Sequence, residues 1–217
     1  MRLPALTELS PRQKEISDRI TARRGGTRGP FLVWLRSPGL CEKVEALGAY
    51  CRFESALDPR LRELSLLIAA RHFDAQYSWN AHVGKAADLG VSREALTELA
   101  ENKEPHFTNR DEQITYQFSS EILNDHFVGD ETFAAALSEF GEQGLVDLIG
   151  SLGNFSMLAM LLNTFQVDLQ PVEPPFPDVR GYAKVTRHNQ PRVGQVPPSS
   201  PTRGCGTRRE PDREART

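Results

Sequence analysis

The sequence predicts an all-α protein, and three of its features support this prediction. Residue pairs that start helices, such as Ser37 before Pro38 and Asp58 before Pro59, recur along the chain. Apolar side chains in the intervening segments repeat at helical spacing rather than alternating as they do in strands. The compact run FLVWL at residues 31–35 would give one isolated strand, which would have no partner strand to pair with.

Several helices are predicted in the N-terminal half. A helix from Pro11 ends before the glycine-rich stretch GGTRGP, and the helix that contains His82 ends at Gly90, because glycine readily takes the left-handed conformation that terminates helices. Ser92 is the expected N-cap of a short helix that ends at Ala100. The predicted helices span residues 11–22, 38–51, 59–72, 75–89 and 93–100.

The remaining predicted helices lie between residues 109 and 165. The first runs from Asn109 to Asp125, and Asp130 is the expected N-cap of the next, which reaches Phe140. The stretch 145–165 is apolar on nearly all sides, so it needs cover from its own domain or from another subunit. Both a central core helix and a subunit interface would meet this need.

The most informative spacing in the chain involves Glu63, Ala75, Ser78 and His82. Eleven residues separate the first pair, two the second and three the third, so cysteines at 75 and 78 would give Glu-x11-Cys-x2-Cys-x3-His. Both thiols of this redox pattern are missing, while the acid and the imidazole remain. The remaining glutamate and histidine can therefore support proton transfer but not disulfide chemistry.

Helical spacing also predicts where these side chains point. Ala75, Ser78, Trp79 and His82 share one face of a helix. Glu63 sits at the edge of the apolar face of the preceding helix, and a short loop makes the two helices neighbours. The carboxylate can therefore face the imidazole and fix its tautomer. Alternatively, the histidine is structural and the glutamate is a solvated partner of a nearby arginine, worth only about 0.3–0.5 kcal/mol.

The spacing, with RELSLLIAAR before it and AHVGKAADLGVS after it, resembles the carboxymuconolactone decarboxylase and alkylhydroperoxidase D-like superfamily. The resemblance is strongest from about Leu57 to Glu98 and weaker near residue 165. It implies a helical bundle of the alkylhydroperoxidase D-like type, assembled into homotrimers or hexamers. In the peroxidase branch two cysteines reduce hydroperoxides, whereas the decarboxylase branch lacks them and keeps the acid and the histidine, as this chain does.

The resemblance thus implies a cofactor-independent lyase that acts by acid/base chemistry on a small carboxylated lactone or a related carbonyl acid. His82 is the predicted proton donor to carbon after carbon dioxide leaves, and Glu63 sets its tautomer and charge. Ser78, Trp79 and Tyr77 are the candidates for substrate contacts, although Trp79 equally suits core packing and Tyr77 faces differently from His82 on an ideal helix. No cofactor and no metal are expected.

Two further hypotheses stay open at this point. An alkylhydroperoxidase-like oxidoreductase is disfavoured, because neither Ala75 nor Ser78 can form the required disulfide. A non-catalytic ligand-binding or assembly protein on the same scaffold fits the sequence as well. Arg71 and His72 either approach an anionic substrate or complement the dipole at the end of their helix.

Composition divides the chain into a domain at residues 1–179 and a tail at 180–217. The tail has nine Lys and Arg and three Asp and Glu, a net +6 (9 − 3), and many prolines, so we expect it to be disordered. It lacks interleaved aromatic residues, so we expect no nucleic-acid partner.

The cysteines and the apolar segments bound the cellular setting. Cys41, Cys51 and Cys205 have neither metal-ligand spacing nor a disulfide pattern, which fits a reducing compartment. The N-terminal segment has charges throughout and no apolar run of signal-peptide length, and no stretch reaches the roughly 20 apolar residues that span a bilayer. We therefore expect a cytoplasmic protein.

Overall fold

The computed structural model describes residues 1–169, 175–177 and 179, and this part of the chain is helical without strands, as predicted. The tail at 180–217 lies outside the described residues, so the division at residue 179 stays a prediction. The elements are α1 (Pro11–Arg24), α2 (Phe31–Trp34), α3 (Pro38–Ala49), a π-helical turn (Tyr50–Glu54), α4 (Pro59–His72), α5 (Gln76–Asp88), α6 (Arg93–Ala100), α7 (Arg110–Asn124) and α8 (Asp130–Phe165).

Most helix starts follow the predicted caps. The side chain of Asp58 accepts a hydrogen bond from the backbone of Arg60 at 2.8 Å, and Ser92 caps α6 in the same manner. Ser37 is the N-cap of α3 and Pro38 its first residue, as predicted, although the Ser37 side chain makes no capping hydrogen bond. One prediction was wrong: the N-cap of α8 is Gly129, and Asp130 is the first helical residue.

The apolar run at 31–35 forms the short helix α2 and not a strand. A lone strand would leave its backbone groups unpaired, whereas a helical turn satisfies them locally and still buries Val33 and Trp34. The predicted helix to Cys51 also ends early, because the backbone widens into the π-helical turn at Tyr50. This turn becomes important below, since it carries Arg52.

Helix α4 is the centre of the main core. It packs against α5, α7 and α8, and its residues from Leu64 to Arg71 are all buried. A second apolar cluster lies at the N-terminal end, where Ile16 and Ile20 of α1 pack with Leu161 and Leu162 of α8. The N-terminal segment is thereby fixed to the end of α8.

Helix α8 combines the last two predicted helices. Its backbone leaves the helical conformation at Gly141, where φ is 66° and ψ is 177°, so the predicted separation near residue 140 corresponds to a real break. Beyond it, Leu148 and Leu152 are buried in the core, while Val146 and Met160 are exposed. A core role therefore accounts for one side of the helix and leaves an apolar stripe on the other.

The same helix passes a length-and-composition test for a membrane span. It has 36 residues, and its most apolar window has a mean hydropathy of 1.7 with half of its residues buried. The expectation that no segment reaches this apolarity was therefore wrong. The polar residues Asp147 and Asn154 are spread through the window and only dilute it. Buried helices of water-soluble proteins pass the same test, so the match is weak support for a membrane location.

Truncating the core face of α8 should destabilise the protein far more than truncating the exposed face. Leu148 is fully buried and Ile149 is 45% exposed, so we expect Leu148→Ala to lower the free energy of unfolding by about 2–5 kcal/mol. The matched change Ile149→Ala should cost about 0.5 kcal/mol or less. Urea unfolding measures both values, and equal losses would contradict the placement of α8.

Candidate active site

The predicted acid and imidazole meet across the α4–α5 interface. Glu63 lies on α4 and His82 on α5, and the hydrogen bond between Oε2 and Nδ1 is 2.6 Å long. The connecting loop is tight, since Asp74 adopts a left-handed φ of 52° and its carboxylate pairs with Arg71. The predicted contact is confirmed; the catalytic roles of the two residues stay predictions.

Burial and charge set the protonation of this pair. Burial would raise the pKa of the Glu63 carboxyl, but the hydrogen bond from His82 and nearby positive charge outweigh it and hold the pKa below its ordinary value. Burial also lowers the pKa of His82, and this outweighs the opposing effect of the Glu63 charge. At neutral pH the pair is thus a carboxylate and a neutral imidazole. The Nδ1–H group donates a hydrogen bond to the Glu63 carboxylate, and the lone pair of Nε2 is left to accept a hydrogen bond or a proton from another group.

The shared face of α5 is buried as expected, although its residues point to two different places. Ser78 lines the same cavity as His82, and its buried hydroxyl has no hydrogen-bond partner in the described part of the chain. Trp79 instead enters the core, where its ring makes an edge contact with Phe176 at 5.2 Å between centroids. Of its two proposed roles, the structure therefore shows core packing and does not place Trp79 at the cavity.

His82 opens onto a cavity of about 270 Å³ between α5 and the N-terminal segment. Aromatic side chains form much of its wall: Phe31, Trp34, Tyr77 and Phe155. Tyr77 lines this cavity although helical spacing turns it away from His82. The loop before α2 passes close to this ring. A Cβ atom at Gly29, whose φ is 60°, would lie 2.1 Å from the Tyr77 hydroxyl, so only glycine fits there.

The cavity is strongly cationic. Its lining contains four basic side chains and no carboxylate: Arg24, Arg28, Arg52 and Lys85. Burial lowers the pKa of Lys85, and the charge of Arg52 lowers it further. Such a set of like charges is stabilised when an anion enters. The charge of the lining therefore suits an anion.

Sequence reasoning missed these cations and considered Arg71 and His72 instead. Arg71 is buried beside Asp74 and over the ring of Phe176, and His72 contacts Asn124 at 3.2 Å. Neither residue lines the cavity of His82. Arg24, Arg28 and Arg52 precede Glu63, and Lys85 follows His82, but none of them is part of the motif spacing, so the sequence did not indicate that they converge on one cavity.

The remaining thiols are poor nucleophiles. Burial raises the pKa of Cys41 to about 11 and also raises the pKa of Cys51. Both are free and buried, and neither lines the cavity. Cys205 lies outside the described residues. In the described ranges, no group of three or more His, Cys, Asp or Glu side chains is arranged to hold a metal ion.

Comparisons with known proteins agree with this architecture. Residues 38–108 match the model of the carboxymuconolactone decarboxylase family. A protein of unknown function from Agrobacterium tumefaciens, suggested to be the antioxidant defence protein AhpD, is 18% identical with a TM-score of 0.58, and the match covers 67% of this chain and 100% of that one. Curated proteins give no match.

Two further solved structures have a similar fold. An alkylhydroperoxidase AhpD core protein from Ralstonia eutropha, an uncharacterised peroxidase-related protein, is 15% identical with a TM-score of 0.62, covering 75% of this chain and 88% of that one. The debrominase Bmp8 bound to 2,3,4-tribromopyrrole is 13% identical with a TM-score of 0.62, covering 79% and 92%. At these identities the similarity shows a common fold.

The fold and the site together define a helical protein with a carboxylate–imidazole pair at a cationic cavity. Residues 38–108 match the carboxymuconolactone decarboxylase family, and the chain shares its helical fold with the AhpD-like structures. It has Ala75 and Ser78 at the positions of the cysteine pair.

Replacing Glu63 by Gln is expected to lower the pKa of His82 further, because the negative charge that favours the imidazolium is lost. Two-dimensional NMR of the imidazole nitrogens against pH measures this shift. Glu98→Gln is the matched control, since it removes a carboxylate 3.1 Å from the exposed His106 and should leave His82 unchanged. An unchanged or raised His82 pKa in Glu63→Gln would refute the described pair.

Proposed function

We propose that this protein is a cofactor-independent lyase or isomerase that moves a proton on a small carboxylated lactone or a related carbonyl acid. The observation that carries the proposal is the His82–Glu63 pair at the edge of a cavity lined by cations and free of carboxylates. The pair supplies acid/base chemistry, and the cations supply affinity for a carboxylate.

The neutral state of His82 adds a condition to the predicted proton donation. In the empty cavity Nε2 has no proton to give. A carboxylate bound nearby raises the pKa of His82, because negative charge favours the imidazolium. Substrate binding thus loads Nε2 with a proton from solvent, while Glu63 accepts the hydrogen bond from Nδ1 and stabilises the positive ring.

The two reactions use this proton in different ways. In decarboxylation, the bond between carbon and the carboxylate breaks, carbon dioxide leaves, and the electron pair moves into a dienolate conjugated to the carbonyl. His82 Nε2 then protonates the carbon and is reprotonated by solvent. In isomerisation, Nε2 acts before it takes a proton from solvent: the neutral nitrogen removes a proton next to the carbonyl and returns that proton to another carbon. Ser78, which lines the cavity and whose hydroxyl has no hydrogen-bond partner among the described residues, is the candidate donor to the enolate oxygen in both reactions.

A thiol peroxidase is the alternative suggested by the fold, since one similar structure is a peroxidase-related protein. The chain lacks thiols at 75 and 78, and Cys41 and Cys51 are buried with raised pKa values. A third possibility is a binding protein that uses the same cavity without chemistry. Nε2 of His82 has no hydrogen-bond partner among the described residues, and this favours the enzyme, because a purely structural histidine usually has both nitrogens bonded.

Assembly and location complete the proposal. A homotrimer or hexamer would cover the exposed apolar side chains of α8, among them Val146, Ile149 and Met160. The free thiols of Cys41 and Cys51 suit a reducing, cytoplasmic setting.

The proposal is tested by assaying carbon dioxide release and double-bond migration with a panel of carboxylated lactones and unsaturated keto acids. We expect His82→Ala to lower kcat about 10²–10⁴-fold, and Glu63→Gln to lower it less. His106→Ala is the matched control, because it removes an exposed imidazole that has no part in the proposed chemistry. Full turnover in both site variants would eliminate this mechanism.

A variant with Ala at Cys41, Cys51 and Cys205 separates the proposal from the peroxidase alternative. We expect it to keep all proton-transfer activity, because these thiols take no part in the chemistry. Peroxide reduction by the parent protein that disappears in this variant would favour the oxidoreductase.

A further inference from the structure

Together with Lys85, Arg52 is a lining cation whose charge acts on both members of the acid–imidazole pair. Its side chain lines the cavity, and its Nε is buried without a hydrogen-bond partner. Its charge lowers the pKa of both Glu63 and His82, so its guanidinium lies within electrostatic reach of both. No carboxylate of the described residues forms an ion pair with it. A partly buried guanidinium without a partner is a group that gains from binding an anion.

Arg24 is the second cation at the same place. It is the last residue of α1, and its guanidinium and that of Arg52 both lie over the ring of Phe53, at 5.7 and 5.1 Å from the centroid. Glu45 approaches Arg24 only to 3.5 Å, which is too long for a strong charge-assisted hydrogen bond. Burial lowers the pKa of Arg24 and the charge of Arg52 lowers it further, so the two guanidinium groups repel each other.

The π-helical turn that carries Arg52 is fixed from outside the cavity by one carboxylate. Asp147 of α8 accepts hydrogen bonds from the Tyr50 hydroxyl at 3.0 Å, the Ser55 hydroxyl at 2.9 Å and the Ala56 amide at 2.7 Å. These donors flank the turn on both sides. Asp147 is itself buried and does not line the cavity. Its contacts therefore hold the turn and make none to a ligand.

We propose that Arg52 and Arg24 together bind the carboxylate of the substrate beside His82, and that Asp147 positions Arg52 by fixing both ends of the π-helical turn. This inference rests on the proposed function and assigns its carboxylate-binding residues. A guanidinium donates two parallel hydrogen bonds to a carboxylate, whereas a neutral amide of the same shape accepts only one and carries no charge. The two arginines should therefore discriminate carboxylates from their amides.

The test measures this discrimination directly, without turnover. Formate, acetate and benzoate, together with formamide, acetamide and benzamide, are titrated by calorimetry and by fluorescence of Trp34 in a Trp79→Phe background. Trp34 lines the cavity and Trp79 does not. We expect at least one carboxylate to bind about tenfold or more tightly than its amide. That preference should be lost in Arg52→Gln and reduced in Arg24→Gln.

Control variants separate recognition from charge and folding. Arg110→Gln removes an equal charge at a side chain that is 76% exposed on α7, and it should keep the preference. Arg52→Lys retains the charge without the planar fork, so it should restore the preference in part. Absence of any preference for carboxylates in the parent protein, or its persistence in both Arg52→Gln and Arg24→Gln, would overturn the assignment.

The role of Asp147 is tested in the same assay. Asp147→Asn and Tyr50→Phe should weaken carboxylate binding while amide binding stays the same, which a general loss of folding would not produce. Glu121→Gln is the matched control, because Glu121 also accepts hydrogen bonds from a hydroxyl and a backbone amide, those of Thr132 and Gly129, away from the cavity. Equal loss of carboxylate and amide binding in Asp147→Asn and in Tyr50→Phe would reduce Asp147 to a stabilising role.

One further variant distinguishes failure of this inference from failure of the proposed function. His82→Gln should keep a preference for carboxylates because both arginines remain, although it loses the part of the affinity that comes from protonation of His82. If the preference is present while no member of the substrate panel is turned over, carboxylate binding stands and the lyase or isomerase does not. Turnover without any preference for carboxylates would have the opposite meaning.

Discussion

The contact between a carboxylate on α4 and an imidazole on α5 governs the rest of the site. Two such groups stay 2.6 Å apart in a largely buried place only if both helices are held rigidly. Helix α4 is held because it is covered by α5, α7 and α8, and α5 is held because the tight turn at Asp74 joins it directly to α4. The packing of the bundle thus serves the geometry of one hydrogen bond, and burial then sets the protonation of both partners.

The basic side chains that line the cavity raise a different energetic question, because they all carry the same charge. Instead of one opposite-charge pair, the lining gathers four cations without a carboxylate, and Glu45 outside the lining approaches Arg24 only to 3.5 Å, so the set costs stability when no anion is bound. The cost is limited because Lys85 and Arg28 reach solvent and because Arg24 and Arg52 lie over an aromatic ring. Accumulated like charge in a concave place is characteristic of a binding site, since structural ion pairs normally include both signs.

The sequence could predict those parts of the molecule that depend on local chemistry. Asp58 and Ser92 cap helices because the capping hydrogen bond spans only two or three residues, and His82 meets Glu63 because a short loop joins their helices. The run at 31–35 resembles a strand in composition but forms a helix, because β-branched and aromatic residues suit any buried surface. Helices α1 and α3 provide such a surface here. Arg52 was out of reach, since its position depends on a π-helical turn and on Asp147, far along the chain.

The glycine at position 29 has a wider meaning for how relatives of this protein diverge. Gly29 lies close to the Tyr77 ring, so the loop before α2 lies against helix α5. A stretch upstream of the family-matched residues 38–108 therefore closes the cavity. The proton-transfer pair lies inside the matched region, whereas Arg24 and Trp34 lie ahead of it and Phe155 lies after it. The acid–base pair and Arg52 therefore lie in the matched stretch, whereas much of the remaining cavity wall comes from the flanking stretches. Natural selection can exchange the flanking stretches to change the molecule that is bound and leave the acid–base pair intact.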